Sequence, residues 1–167
     1  MNPQDVAAHL EIQQVLYRYC RGVDRGEPET IASVYHPDAR DRHGAWEGLG
    51  RDFAAYLVPQ MDAVPVVGQH HITNILIELA GAVAEVESYF IAFHPEAGPD
   101  GPRFVQVCGR YLDRFERRDG AWRIVDRQVV VDLARVLGDA PTWPGAARFP
   151  AGGRRDADPS ASRVRRG

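Results

Sequence analysis

The apolar residues of this chain keep one period up to Met61 and a different one beyond Pro65. In the first part they recur at helical spacing, and in the second they alternate or fill strand-length runs. A chain that places its helices first and its strands last has no alternating βα units from which to wind a parallel sheet. It is left with helices gathered against a mostly antiparallel sheet, the α+β arrangement.

The first segment, 4–24, reads as a helix with Ile12, Val15, Leu16, Tyr19 and Val23 on one face. Tyr17, Cys20 and Asp24 form an adjacent stripe, and Gly26 stops the helix. Pro28 opens a short second helix over 28–35, ending before Pro37. An extended piece follows at 39–46 with a turn at Gly44, then a third helix over 50–61 bearing Phe53, Tyr56, Leu57 and Met61. Strands are expected at 67–79, 83–94, 103–117 and 121–132. They are separated by Ala80-Gly81, by Pro95 through Pro102, and by the hairpin signal Asp119-Gly120. Both faces of these strands carry apolar residues. A curved sheet fits them, one side holding a pocket and the helices, the other packing on a second subunit.

At 167 residues a single domain is expected over 1–138, followed by an extended or disordered tail over 139–167. Trp143 and Phe149 in that tail are candidates for a lid over the pocket. No apolar run approaches a membrane span and no signal peptide is evident, so the cytoplasm is the expected location. Residues 148–167 hold six Arg against two Asp, which leaves the preceding body acidic. That distribution does not suit a nucleic-acid binder, whose basic groups line an ordered face. Cys20 and Cys108 show no metal or redox spacing and read as free thiols. No zinc, phosphate-loop or nucleophile-elbow motif is present, so no metal or cofactor is expected.

Asp24, His70 and His94 sit where structure alone gives them little to do. A carboxylate in the last turn of a helix faces the negative end of the macrodipole. His70 opens a strand-like run, and His94 ends another. A histidine and a carboxylate converging in an apolar cavity would form an oriented general base, imidazole titrating near neutrality. His71 points away from His70 by strand alternation. Tyr17 and His43 are candidates for holding a substrate carbonyl, with Asn74 on the face of His70. Arg127 shares a face with Val125, Val129 and Val131 and needs either a ligand or a partner such as Asp113. Tyr56, Phe90 and Trp122 read as core or pocket wall.

Three stretches carry a family resemblance: Leu16-Tyr17-Arg18-Tyr19 through Asp24-Arg25-Gly26, then His70-His71-Ile72-Thr73-Asn74, then Gly109-Arg110-Tyr111-Leu112-Asp113 through Trp122-Arg123-Ile124. In this order they resemble the SnoaL-like branch of the nuclear transport factor 2-like superfamily, and within it scytalone dehydratase, hexachlorocyclohexane dehydrochlorinase and the bile-acid dehydratases. The resemblance implies a cone-shaped fold around a cavity. It places Asp24 and His70 on a catalytic aspartate–histidine pair and His94 on a second histidine. The substrate-polarising groups of those enzymes do not carry over: their positions hold Val23, His43, Gly109, Tyr111, Leu112 and Tyr19. The implied activity is a cofactor-free, dehydratase-type lyase acting on a small apolar cyclic carbonyl compound of polyketide, aromatic or steroid type. An isomerase or cyclase using the same dyad, the non-catalytic small subunit of an aromatic-ring dioxygenase, and a ligand-binding protein are the alternatives. The pocket would be lined by His43, Tyr56, Asn74, Phe90, Tyr111, Arg127 and Val129, and the relatives imply a homotrimer or homodimer.

Overall fold

A computed structural model describes residues 2–139, 144–148 and 150–163. The first helix, α1 (Pro3–Arg25), starts at a reciprocal cap in which Asn2 and Asp5 satisfy each other's backbone amides. It ends at Gly26, whose φ of 60° is left-handed and open to glycine at little cost. The next elements are α2 (Pro28–Ser33), β1 (Tyr35–His43), β2 (Trp46–Leu49) and, after a 3-10 turn at Gly50–Asp52, α3 (Phe53–Asp62). Four long strands follow: β3 (Gln69–Ala80), β4 (Val83–Gly98), β5 (Gly101–Arg118) and β6 (Ala121–Asp139).

The six strands form one sheet in the order β2-β1-β6-β5-β4-β3, antiparallel except where β1 runs parallel to β6. Helices on one face of a bent, unclosed sheet make this an α+β cone. Ile12, Leu16 and Tyr19 of α1 pack into a core with Val86, Phe90, Tyr111, Phe115 and Ile124 of the sheet. The stretch from Pro95 to Pro102, expected as a loop, is instead strand: β4 and β5 stay paired out to Gly98 and Gly101. Pro95 keeps its place because a proline at a non-donating position leaves the ladder intact.

The bend has a visible cause. At three places β6 spends two residues where β5 spends one: opposite Phe104/Val105, Cys108/Gly109 and Arg114/Phe115. Each extra residue kinks the strand and adds twist. Each also reverses which alternate residues face inward. Ile124, rather than Val125, therefore shares the core face with Arg127. Another bulge between Ile72 and Ile75 of β3 does the same to Thr73 and Asn74.

Residues 150–163 are no free tail. Arg154 donates to the carbonyls of Val64 and Val66 at 3.0 and 2.7 Å, and Arg155 bonds Asp62 and the Gly26 carbonyl. Asp158 lies 3.3 Å from Arg25, while Arg21 donates to Ser160 at 3.1 Å. Arginines of the segment expected as an extended or disordered tail thus strap it across the end of α1. Trp143 and Phe149 lie outside the described residues.

Candidate active site

The end of α1 meets the start of β3 at Asp24. Gly26 turns the chain away directly after it, so the Asp24 side chain is free to lean onto the sheet. One carboxylate oxygen accepts from Nδ1 of His70 at 2.7 Å, and the other accepts from the His70 backbone amide at 3.1 Å. Both side chains are about nine-tenths buried. With Nδ1–H committed to the carboxylate, Nε2 is the ring nitrogen left with a lone pair.

The dyad opens on a cavity of about 160 Å³ between α1, α3, the ends of β1 and β4, and the C-terminal strap. Tyr19, His43, Phe53, Met61, His94 and Arg154 contribute to its wall. His94 meets the His70 ring edge-on, with centroids 4.9 Å apart. Burial, reinforced by the charges available to His70 and His43, pushes the His94 imidazole down to about 4. It is therefore neutral near pH 7, a hydrogen-bonding group rather than a reservoir of protons. A larger concavity of about 550 Å³ lies elsewhere, among Glu78, Glu85, Glu87 and Arg114. It is open and charged, and it offers no imidazole to serve as a base near neutral pH.

Of the residues singled out in the sequence, the structure brings Asp24, His70, His94 and His43 to one cavity. Tyr17 is not with them. It is 45% exposed and flanks the outer side of the dyad with Cys20 and Arg21, because helical geometry turns it away from Tyr19. Tyr56 is 38% exposed and tilted against Trp46, with ring centroids 5.2 Å apart, outside the cavity wall. Asn74 is exposed, its facing reversed by the bulge in β3. Phe90 and Tyr111 stack on each other at 4.6 Å in the core behind the cavity, where Val129 also packs.

Arg127 does not reach a ligand. It is wholly buried and donates twice to Asp113 at 2.7 Å, with its guanidinium 4.2 Å from the ring centroids of both Tyr19 and Tyr111. Charge, hydrogen bonding through Nε and Nη2, and ring faces offset part of the water it has lost, while Nη1 has no hydrogen-bond partner. Burial drives the Asp113 carboxyl upward against the pull of Arg127, while Arg127 itself is held firmly cationic.

Asp41, beside His43, and Arg154, in the cavity wall, are not among the residues the sequence singles out. Asp41 carries a signal, since in strand β1 it lies two positions before His43 and so on the same face. Arg154 carries none, because its position depends on where a Gly-rich segment docks. Among the described residues no group of three or more His, Cys, Asp or Glu side chains is arranged to hold a metal. No helix there is long and apolar enough to cross a membrane.

Comparison with known proteins bears on the family and the fold. The model of the SnoaL-like domain family matches residues 4–128. An uncharacterized protein of Mycobacterium tuberculosis strain H37Rv is 30% identical over 127 residues, 74% of this chain and 84% of its own. A putative scytalone dehydratase from Novosphingobium aromaticivorans superposes with a TM-score of 0.70 at 20% identity, over 92% of this chain and 97% of that one. A hexachlorocyclohexane dehydrochlorinase from Novosphingobium barchaimii gives 0.71 at 20% identity, covering 84% and 97%. At that identity the two structures speak for the fold. The chain belongs to the SnoaL-like family.

Proposed function

We propose that this protein is a cofactor-free lyase that eliminates water from a small, largely apolar, cyclic carbonyl compound. His70 is the general base and Asp24 its orienting partner. The observation that carries this reading is the two-point hold of Asp24 on His70 at the cavity wall. It fixes one tautomer, aims Nε2 and stabilises the imidazolium that forms when a proton is taken from carbon. The neighbours with similar folds include a putative dehydratase and a dehydrochlorinase, both named for eliminations.

The chemistry requires no electron sink beyond the substrate's own carbonyl. His70 takes the proton beside that carbonyl, the electron pair enters a new carbon–carbon double bond, and the bond to the hydroxyl breaks. The aromatic and aliphatic walls contributed by Tyr19, Phe53, Leu57 and Met61 suit a ring system. Assembly as a homotrimer or homodimer belongs to the same proposal. Leu76, Tyr89 and Leu133 lie exposed on the sheet face away from the helices, where a second copy would cover them.

Conversion of a panel of cyclic β-hydroxy ketones, followed by the absorbance of the conjugated product, tests the reading. Saturable turnover by the wild type that His70→Ala abolishes is the expected result. Binding of these ketones without turnover would make the protein a carrier instead.

A further inference from the structure

His43 and Asp41 leave β1 on the same face, and their surroundings repeat the logic of the dyad from another part of the cavity wall. Asp41 is completely buried. One of its oxygens accepts the Tyr35 hydroxyl proton at 2.7 Å. The other has no hydrogen-bond partner and lies 3.7 Å from Nδ1 of His43, which also lacks one. The His43 ring is stacked on Phe53, with centroids 4.5 Å apart and planes within 17°. That stacking holds the ring plane and leaves its far side to the cavity.

Charge balance gives this geometry its meaning. Burial works to raise the Asp41 carboxyl, but His43, Arg127 and the Tyr35 hydroxyl outweigh it and hold the group below its usual range. Arg127 is already bound at two points to Asp113. Arg127 thus attracts both carboxylates but hydrogen-bonds only Asp113, which leaves the second Asp41 oxygen to another donor. The His43 ring, with Nδ1 3.7 Å from that oxygen, is the group placed to fill this role. The other titratable groups near His43 are Tyr111 of β5, with ring centroids 6.4 Å away, and Tyr19, Asp24, His70, His94 and Arg154 in the same cavity wall. Of these, His94 is held neutral and Tyr19 and Tyr111 are pushed far above neutrality by burial.

We propose that His43, oriented by Asp41, is a second imidazole–carboxylate pair in this cavity and donates the proton taken up by the leaving hydroxyl. This assignment rests on the lyase reading above. In the step, Nε2 of His70 accepts the carbon-bound proton as the C–O bond breaks. The proton on His43 passes to the departing oxygen, and water leaves. One proton is gained by His70 and one lost by His43, and exchange with solvent restores both. Asp41 is a positioning residue, since it acts through His43.

Two measurements on the full chain test the pair. The first needs no substrate: the 15N shifts of the His43 ring nitrogens, which report tautomer and hydrogen bonding, in the wild type and in Asp41→Asn. A protonated Nδ1 directed at the carboxylate is expected in the wild type and lost in the variant. Identical ring-nitrogen shifts in the two proteins would overturn the pairing. The second compares wild type with His43→Gln, whose target is partly exposed and whose folding does not depend on altering the buried carboxylate. Elimination from 3-hydroxy-1-tetralone, a bicyclic β-hydroxy ketone, is expected to fall by about 10²-fold or more. Deuterium uptake beside the carbonyl of 1-tetralone, which has no leaving group and needs only the base, is expected to suffer much less. Equal loss of both reactions, or of neither, would overturn the donor role. A wild type that does neither would remove the lyase reading, while the ring-nitrogen shifts would still decide whether the pair exists.

Discussion

Asp24 grips His70 at two places, the ring Nδ1 at 2.7 Å and the backbone amide at 3.1 Å. A single carboxylate thereby fixes both the strand and the imidazole it carries, so that the orientation of the ring is tied to the end of α1. Asp24→Ala leaves a buried amide and a buried ring nitrogen without their acceptor. Stability is expected to drop by about 1–3 kcal/mol, read from the urea midpoint at unchanged slope.

The buried pair of Arg127 and Asp113 makes a separate demand. Arg127→Met strands a carboxylate in the core and is expected to cost about 3–5 kcal/mol. Adding Asp113→Leu removes the stranded charge and should recover most of that loss. Urea unfolding of the single and double variants checks this, and an unrecovered double variant would assign the loss to the rings stacked on the guanidinium.

His94 should make the protein sensitive to acid. Its imidazole titrates at about 4 when folded, against 6.5 for the ordinary group. Between those values the unfolded chain binds more protons, so this contribution to stability is complete above pH 6.5 and is lost as pH falls toward about 4. Thermal unfolding of wild type and His94→Gln across that window is the check. The variant should show a shallower decline in Tm.

The strap is expected to close the cavity as well as hold the chain. Arg154→Ala leaves the carbonyls of Val64 and Val66 without their donor and removes one wall of the cavity. A loss of about 1–3 kcal/mol and weaker binding of 1-tetralone in calorimetry are expected together. Unchanged binding would confine Arg154 to a structural role.

Much of this molecule is legible in its sequence, for identifiable reasons. Helical and strand periods survive in any sequence that buries one face, so α1, α3 and the four long strands announce themselves. Asp24 and His70 stand out because a carboxylate at a helix C-terminus works against the helix and has to be explained by something else. Strand alternation then fails wherever a bulge intervenes. It assigns Asn74 inward and aligns Val125 with Arg127, because one inserted residue reverses every facing after it and leaves no mark in composition. The helical stripe assigns Tyr17 to the cavity, yet Tyr19, two positions along, is the residue that faces inside. Arg154 lies in a segment whose Gly and Arg content resembles a solvated tail, and only the carbonyls of Val64 and Val66 give it a place.

The central claim, that Asp24 makes His70 a base, is tested most directly by the turnover of Asp24→Asn. The carboxamide keeps the size of the side chain and removes its charge. With a cyclic β-hydroxy ketone turned over by the wild type, kcat is expected to fall by about 10²–10⁴-fold while KM and oligomer size change little. Turnover within a few-fold of wild type, from a variant folded to the same stability, would contradict the account.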